Sequence, residues 1–197
     1  SEGFRVHPVG QMSTSTFEHL DPERFELVFY STQSYQDHIT ERLKAVASAW
    51  NKVGTLSELQ LAQKIKADQI DILFDLAGHM KGTRMNTIAM KPAPLIVKWV
   101  GGLISTTGVP EVDYLLSDSI ETPADSDAYY TEKLIRLPGD YICYSPPNYS
   151  PKVSELPALT NGFITFGCFN NVTKVNAELV REWAILLREL PSSKLFI

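Results

Sequence analysis

Short apolar runs alternate with segments of helical periodicity along most of the chain. The clearest runs predict buried strands at residues 70–76, 95–100, 112–117 and 133–137. An earlier run, FELVFY at residues 25–30, predicts a further strand. Strands separated by helices need crossover connections, which favour a parallel sheet covered on both faces. The pattern therefore predicts an α/β protein with a Rossmann-like, doubly wound sheet.

The segments between these runs have apolar residues at helical spacing. They predict helices at residues 8–20, 35–49, 57–67 and 176–190. The third starts with the sequence Thr55-Leu-Ser-Glu58, a spacing typical of a capping box. The last carries one apolar face and stops at Pro191.

A proline-rich stretch at residues 138–157 interrupts the alternation and is interpreted as a linker. After it, a strand at 162–169, the helix at 176–190 and a strand at 194–197 form the opening of a second βαβ unit. We therefore predict two domains, at residues 1–155 and 156–197. The second is expected to be only the beginning of its fold.

Composition and charge argue against a nucleic-acid binder, a membrane-spanning protein and a zinc protein. The net charge is −5, which is unlike the basic surface of a nucleic-acid binder. The sequence contains no apolar run of about 18 residues, the length that a membrane-spanning helix needs. Cys143 and Cys168 lie in apolar segments and are expected to be buried free thiols in a reducing compartment. Neither a CxxC pair nor a zinc-type Cys/His cluster occurs.

Candidate binding groups follow the predicted strands. Ligands of open parallel sheets bind beyond the carboxyl ends of the strands, where loops 77–82, 101–108 and 170–174 are expected. Glycines in the first two loops permit close backbone approach, but neither loop is a GxGxxG or Walker motif. Lys174 follows a strand and a polar turn and precedes a helix, which is a typical arrangement for an anion site. His7 and His79 are candidate site residues, although each taken alone is more typical of a structural histidine.

Several motifs together resemble one known family. They are SEGFRVHPVG at 1–10, DQIDILFDLAGH at 68–79, KPAPLIVKW at 91–99, TTG at 106–108, VDYLLSD at 112–118, YTEKL at 130–134 and FNNVTK at 169–174. In order and spacing they resemble the catalytic region of bacterial O-linked N-acetylglucosamine transferases, glycosyltransferase family 41. The resemblance implies a GT-B fold, in which residues 1–155 are most of the first Rossmann-like catalytic domain, without its first strand. Residues 156–197 would begin the UDP-sugar-binding domain.

The resemblance also implies an activity. Family members transfer N-acetylglucosamine from UDP-GlcNAc to protein Ser/Thr hydroxyls with inversion, without a metal ion or other cofactor. The implied partners are a UDP-sugar, an acceptor protein, the remainder of the catalytic region and a possible tetratricopeptide (TPR) array, with no nucleic acid or membrane. The implied location is the cytoplasm. Because most of the UDP site would lie outside this chain, the isolated chain is expected to be inactive.

Site residues are carried over by position. His7 matches a histidine near the sugar and acceptor, and Gly101 matches a glycine whose backbone lies against the sugar. Thr106 and Thr107 match the hydroxyl pair of the same loop. Asn171 and Lys174 match the motif whose lysine meets the UDP diphosphate. The resemblance thus implies catalytic roles for His7 and Lys174. It implies substrate contacts for Lys174 and for five further residues: His79, Gly101, Thr106, Thr107 and Asn171. No metal ligand is implied.

Two departures from the family pattern leave alternatives open. The family loop WLGYPGT[ST]G reads WVGGLISTTG here, and the tyrosine of FNxxYK is Thr173. One alternative is a related N-glycosyltransferase that transfers hexose to asparagine. Another is a non-catalytic binding or assembly module. The catalytic base also stays open among a histidine, an aspartate and a water relay.

Overall fold

The structure, a computed structural model, describes residues 1–102, 105–147 and 149–197. It forms two compact units, Ser1–Pro146 and Pro147–Ile197. The divergent loop at residues 102–105 falls partly on Leu103 and Ile104, which lie outside the described residues. The predicted linker contains Asn148, which also lies outside them.

The first unit is an α/β structure whose strands are all parallel. Its strands are Val28–Ser31 (β1), Ala49–Lys52 (β2), Ile72–Asp75 (β3), Leu95–Lys98 (β4), Tyr114–Asp118 (β5) and Lys133–Leu137 (β6). β1 pairs with β2, and the other four pair in the order β3-β4-β5-β6. Its helices are Pro8–Glu18 (α1), His38–Ala45 (α2), Glu58–Ala67 (α3) and Met85–Ile88 (α4). This is the predicted Rossmann-like architecture.

Two hydrophobic cores cover the sheet strands. The first core contains residues of α1, α2 and β1 together with residues that lie between the helices and strands: Phe4, Val9, Phe17, Phe29, Ile39, Leu43, Leu76, Trp99, Val100 and Tyr141. The second core contains residues of α3 and α4 together with residues in and beside the strands: Tyr30, Val53, Leu61, Ile65, Leu73, Ile88, Ala93, Ile96 and Val112. Consecutive β1 residues Phe29 and Tyr30 enter different cores because successive side chains of a strand point to opposite faces. The sheet is therefore doubly wound, as predicted.

The second unit opens with the short helix Pro157–Asn161 (α5). Its strands Thr165–Gly167 (β7) and Lys194–Phe196 (β8) are parallel neighbours, joined by helix Ala177–Glu189 (α6). The Asn176 side chain caps α6 by accepting the Leu179 N–H at 2.9 Å. The predicted strand–helix–strand order is confirmed for this part of the chain.

Three local predictions are wrong. The helix predicted at 35–49 ends at Ala45, and its last residue begins β2. The capping box of α3 is formed by Ser57 and Gln60, so the helix is capped two residues later than the Thr55–Glu58 spacing indicated. Both cysteines are free, but Cys143 is exposed and Cys168 is half-buried, because the apolar residues around them do not form a closed core.

Candidate functional site

His7 is the N-cap of α1. Its Nδ1 accepts the backbone N–H of Val9 at 3.2 Å, and Pro8 stands at the first helical position, where a missing N–H costs nothing. Partial burial of His7 lowers its pKa below the ordinary value, and the positive charge of the Arg5 guanidinium lowers it further. A neutral imidazole that accepts through Nδ1 carries its proton on Nε2. His7 therefore has its Nε2–H available as a donor.

Asp75 organises the loop that follows β3. Its carboxylate accepts the N–H of Ala77 at 3.1 Å and that of Gly78 at 2.8 Å. Gly78 has φ of +53°, a conformation that L side chains rarely adopt. A β-carbon at Gly78 would also lie 2.9 Å from the Gly101 carbonyl oxygen. The loop therefore packs directly against the next one.

The loop after β4 begins with a strained turn. The N–H of Gly101 donates to the carbonyl of Trp99 at 2.7 Å, and the central residue, Val100, has φ of +62°. A β-branched residue in this region is a genuine outlier, typical of functional sites. A β-carbon at Gly101 would lie 1.9 Å from the Leu76 carbonyl oxygen. Position 101 thus requires glycine for steric reasons alone.

Thr106 and Thr107 are held by Glu132, the residue before β6. The Thr107 N–H donates to Oε1 of Glu132 at 2.6 Å, and the Thr107 hydroxyl donates to the same oxygen. The Thr106 hydroxyl donates to Oε2 at 2.7 Å. Burial acts to raise the pKa of Glu132, but the hydrogen bonds from Thr107 and Thr106 outweigh it and hold that pKa below its ordinary value. Both hydroxyl protons are therefore engaged within the protein.

His79 joins the two loops. Its Nε2 lies 2.8 Å from the carbonyl oxygen of Thr107, and because a carbonyl only accepts, Nε2 is the donor. The N-terminal segment approaches the same region, since a β-carbon at Gly82 would lie 2.6 Å from Oε2 of Glu2. The first unit thus brings His79, Gly101, Thr106 and Thr107 together.

Asn171 and Lys174 lie in the second unit, on a 3₁₀ turn at Val172–Lys174. The Asn171 side chain accepts the N–H and the hydroxyl of Thr173, each at 3.0 Å. Lys174 is exposed and lies two residues before Asn176, the N-cap of α6. The strand–turn–lysine arrangement of the sequence is therefore present in the structure.

Sequence reasoning missed three buried charges beneath the loops. Asp75, Lys98 and Glu132 are 7%, 1% and 4% exposed. The signal was a charged residue at the end of an otherwise apolar strand: Asp75 ends β3 and Lys98 ends β4. Charged side chains are rarely buried to this extent, so a charge at the end of an apolar strand is an informative position.

The described residues contain neither a metal-binding cluster nor a membrane-spanning helix. No group of three or more His, Cys, Asp or Glu residues is arranged to hold a metal ion among residues 1–102, 105–147 and 149–197. Over the same part of the chain, none of the helices combines the length and apolar character required to cross a bilayer.

Comparison with known proteins places these features in context. The sequence profile described as Glycosyl transferase family 41 matches residues 1–147. The chain is 35% identical over its whole length to the probable UDP-N-acetylglucosamine–peptide N-acetylglucosaminyltransferase SPINDLY of Arabidopsis thaliana, and 34% identical to that of Oryza sativa. It spans 22% of the length of each of these relatives.

A solved structure shows the same relationship. A K341M mutant of the O-GlcNAc transferase of Thermobaculum terrenum matches with a TM-score of 0.90 and 36% sequence identity. The match covers 99% of this chain and 36% of that one. The likeness therefore extends over both units, while most of the solved protein has no counterpart here.

Proposed function

Because the chain belongs to glycosyl transferase family 41, we propose that it forms part of an enzyme that transfers N-acetylglucosamine from UDP-GlcNAc to Ser/Thr hydroxyls of proteins. The observation that carries the proposal is the family match over residues 1–147, which includes the two joined glycine loops. The reaction is an in-line displacement at the sugar C1 with inversion. The UDP-sugar, the acceptor protein, further catalytic segments and a TPR array are partners in this proposal, and the cytoplasm is its location.

His7 orients the acceptor side of the reaction in this scheme. The lowered pKa keeps its imidazole neutral near pH 7, and Nδ1 is occupied by the helix amide. Its free proton is on Nε2, so the ring meets a substrate oxygen as a donor. This favours orientation by His7 over proton abstraction, and leaves the base to an aspartate or a water relay.

The loop at 101–108 shapes the sugar pocket. Gly101 presents backbone rather than side chain, because a β-carbon there would collide with the Leu76 carbonyl. Since Glu132 holds the hydroxyl protons of Thr106 and Thr107, these two residues act through the shape and backbone of the loop. His79 fixes the loop by donating to the Thr107 carbonyl.

Lys174 stabilises the leaving group. Breaking the sugar–phosphate bond builds negative charge on UDP, and a lysine just before a helix N-terminus favours that charge. Asn171 shapes the turn that carries Lys174 through its bonds to Thr173. The lysine supplies the cation of the reaction, so the scheme needs no metal ion or other cofactor.

A chimera tests the proposal. Residues 1–197 would replace the corresponding region of the T. terrenum enzyme without its K341M substitution, and transfer from UDP-GlcNAc to a protein acceptor would be measured. We expect transfer by the chimera, a loss of at least tenfold in kcat for Lys174→Met, and a smaller loss for His7→Asn. Arg188→Met, on the exposed surface of α6, is the matched control for Lys174→Met. A folded chimera that binds UDP and transfers no sugar from any UDP-sugar would contradict the proposal.

The sequence of the sugar-pocket loop favours a second candidate, a non-catalytic binding or assembly module. The Tyr-Pro-Gly of the family loop is absent, and Thr173 stands where the family has tyrosine. UDP binding without turnover in the chimera would support this candidate. Transfer from UDP-Glc in preference to UDP-GlcNAc, onto asparagine, would instead support the N-glycosyltransferase alternative.

A further inference from the structure

The turn that carries His7 lies against α1 at one end and is open to solvent beyond it. A β-carbon at Gly10 would lie 2.3 Å from the Arg5 carbonyl oxygen, so the backbone of the turn passes directly over the helix. The Val6 side chain is 45% exposed. Side-chain packing therefore does little to hold the residue that precedes His7.

A hydrogen bond from α2 holds that residue instead. The Val6 N–H donates to Oδ2 of Asp37 at 2.6 Å. The other oxygen of this carboxylate, Oδ1, caps α2 by accepting the N–H groups of Ile39 at 3.0 Å and Thr40 at 3.2 Å. Burial acts to raise the pKa of Asp37, but the hydrogen bonds from these three amides outweigh it and hold that pKa below its ordinary value. Asp37 thus joins the first turn of α2 to the segment that opens α1.

Thr40 adds a second connection between the same two segments. Its buried hydroxyl donates to the carbonyl oxygen of Phe4 at 2.7 Å, and the side-chain amide of Gln33 donates to the same oxygen at 3.0 Å. These bonds hold the chain three residues before His7 and so fix where the turn begins. The bond from Val6 to Asp37 is made next to His7, and it fixes the direction in which the turn continues.

We propose that Asp37 is a positioning residue that orients the His7 imidazole by holding the Val6 backbone against the N-terminus of α2. His7 accepts the Val9 N–H through Nδ1, so the placement of its backbone decides where Nε2–H points. The positioning is a property of this chain itself. Its consequence for sugar transfer rests on the proposed function, in which His7 meets a substrate oxygen.

Substitutions at Asp37 can separate the roles of its two oxygens. In Asp37→Asn the side-chain oxygen can still cap α2, whereas the NH₂ group cannot accept the Val6 N–H. Asp37→Ser is a second variant, because serine also caps a helix but has one oxygen in place of two. Glu41→Gln is the matched control, since it removes an exposed negative charge from the same first turn of α2.

Amide exchange and histidine titration of the 197-residue chain, both followed by NMR, test the positioning. In Asp37→Asn we expect the Val9 amide, which donates to His7, to exchange about tenfold faster, while the capped Thr40 amide stays within threefold. We also expect the pKa of His7 to rise towards 6.5, because a released ring is less buried. Loss of a negative charge would by itself lower this pKa, so a rise reports the exposure of the ring.

The variants give opposite expectations. Asp37→Ser should reproduce both changes, and Glu41→Gln should produce neither. Unchanged Val9 exchange and an unchanged pKa of His7 in both Asp37 variants would overturn the proposal. Equal changes in Glu41→Gln would also overturn it, because the charge of the helix terminus rather than the Val6 bond would then be responsible.

The chimera measures the consequence for transfer. With Asp37→Asn we expect kcat/KM for the protein acceptor to fall about fivefold, while KM for UDP-GlcNAc stays within twofold, because His7 acts on the acceptor side. In a His7→Asn background the same substitution should change transfer less than twofold, since residues that act as a unit are not additive. Equal losses in the two backgrounds would refute action through His7. An inactive parent chimera would count against the proposed function, whereas the NMR experiment would still decide the positioning.

Discussion

A methyl group at Gly101 has no room in this fold. The β-carbon of Gly101→Ala would lie 1.9 Å from the Leu76 carbonyl oxygen, 2.3 Å from the Leu76 carbonyl carbon and 2.8 Å from the Ala77 nitrogen. All three are backbone atoms of the two residues that follow β3, so no side-chain rotation relieves the clash. Overpacking costs about 1–3 kcal/mol, and a backbone clash of this depth places the cost at about 3 kcal/mol. At roughly 2–4 °C per kcal/mol, the melting temperature of the first unit should fall by about 6–12 °C.

Thermal unfolding followed by tryptophan fluorescence measures this effect. A Trp183→Phe background removes the tryptophan of the second unit and leaves Trp50 and Trp99 in the first. Gly108→Ala is the control: φ is +65° but nothing lies within 4 Å, so only the backbone cost of about 1–2 kcal/mol applies. If Gly101→Ala loses no more stability than Gly108→Ala, the steric argument for glycine at position 101 is wrong.

The remaining predictions concern His7, Glu132 and the two cysteines. His7→Ala removes the acceptor of the Val9 amide and should cost about 1 kcal/mol in urea unfolding, whereas His7→Asn keeps a cap and costs less. Because folding lowers the pKa of His7, the wild type should lose stability as pH falls below 6.5, and His7→Asn should lack that slope. Folding lowers the pKa of Glu132 below its unfolded value of 4.5, so the ionised carboxylate stabilises the fold above that pH. This stability is lost as the pH falls through the folded pKa, and the melting temperature of Glu132→Gln should therefore decline less steeply in acid than that of the wild type. An equal decline in the two proteins would contradict this. In the folded chain, Cys143 should react with a disulfide reagent faster than Cys168, and the reverse order, read by mass spectrometry, would count against the exposures described.

The strands of the first unit could be predicted where they are nearly continuous apolar runs, as in β3, β4 and β6. β2 could not, because Ala49–Lys52 is a short edge strand with polar residues and pairs only with β1 within the described residues. The helical spacing of apolar residues in α2 continues up to Ala49, the first residue of β2, so the predicted helix extended into this strand. Sequence patterns describe burial of apolar faces well, and short edge strands have little apolar face to bury.

The candidate site was predictable at the level of its loops but not of its interior. Gly101 and His79 stand beside strand ends, where pattern reasoning places ligand loops. Glu132 lies 25 residues from Thr107 in sequence, and nothing in the local pattern joins the two. The burial of Asp75, Lys98 and Glu132 depends on the strand order β3-β4-β5-β6, and a single sequence carries that information only as charged residues placed unusually in apolar runs.

Val100 links the backbone conformation of the turn before Gly101 to side-chain packing in the first core. Its left-handed backbone costs about 1–2 kcal/mol, whereas burying its side chain in the first core contributes about 1.5–3 kcal/mol. Burial therefore offsets the strain, and packing in the first core stabilises the turn before Gly101 in its left-handed conformation. Cavities opened in that core, even at Phe17 or Phe29, would relax the turn as well as lower stability. The first core thus acts as a remote determinant of backbone geometry at the candidate site.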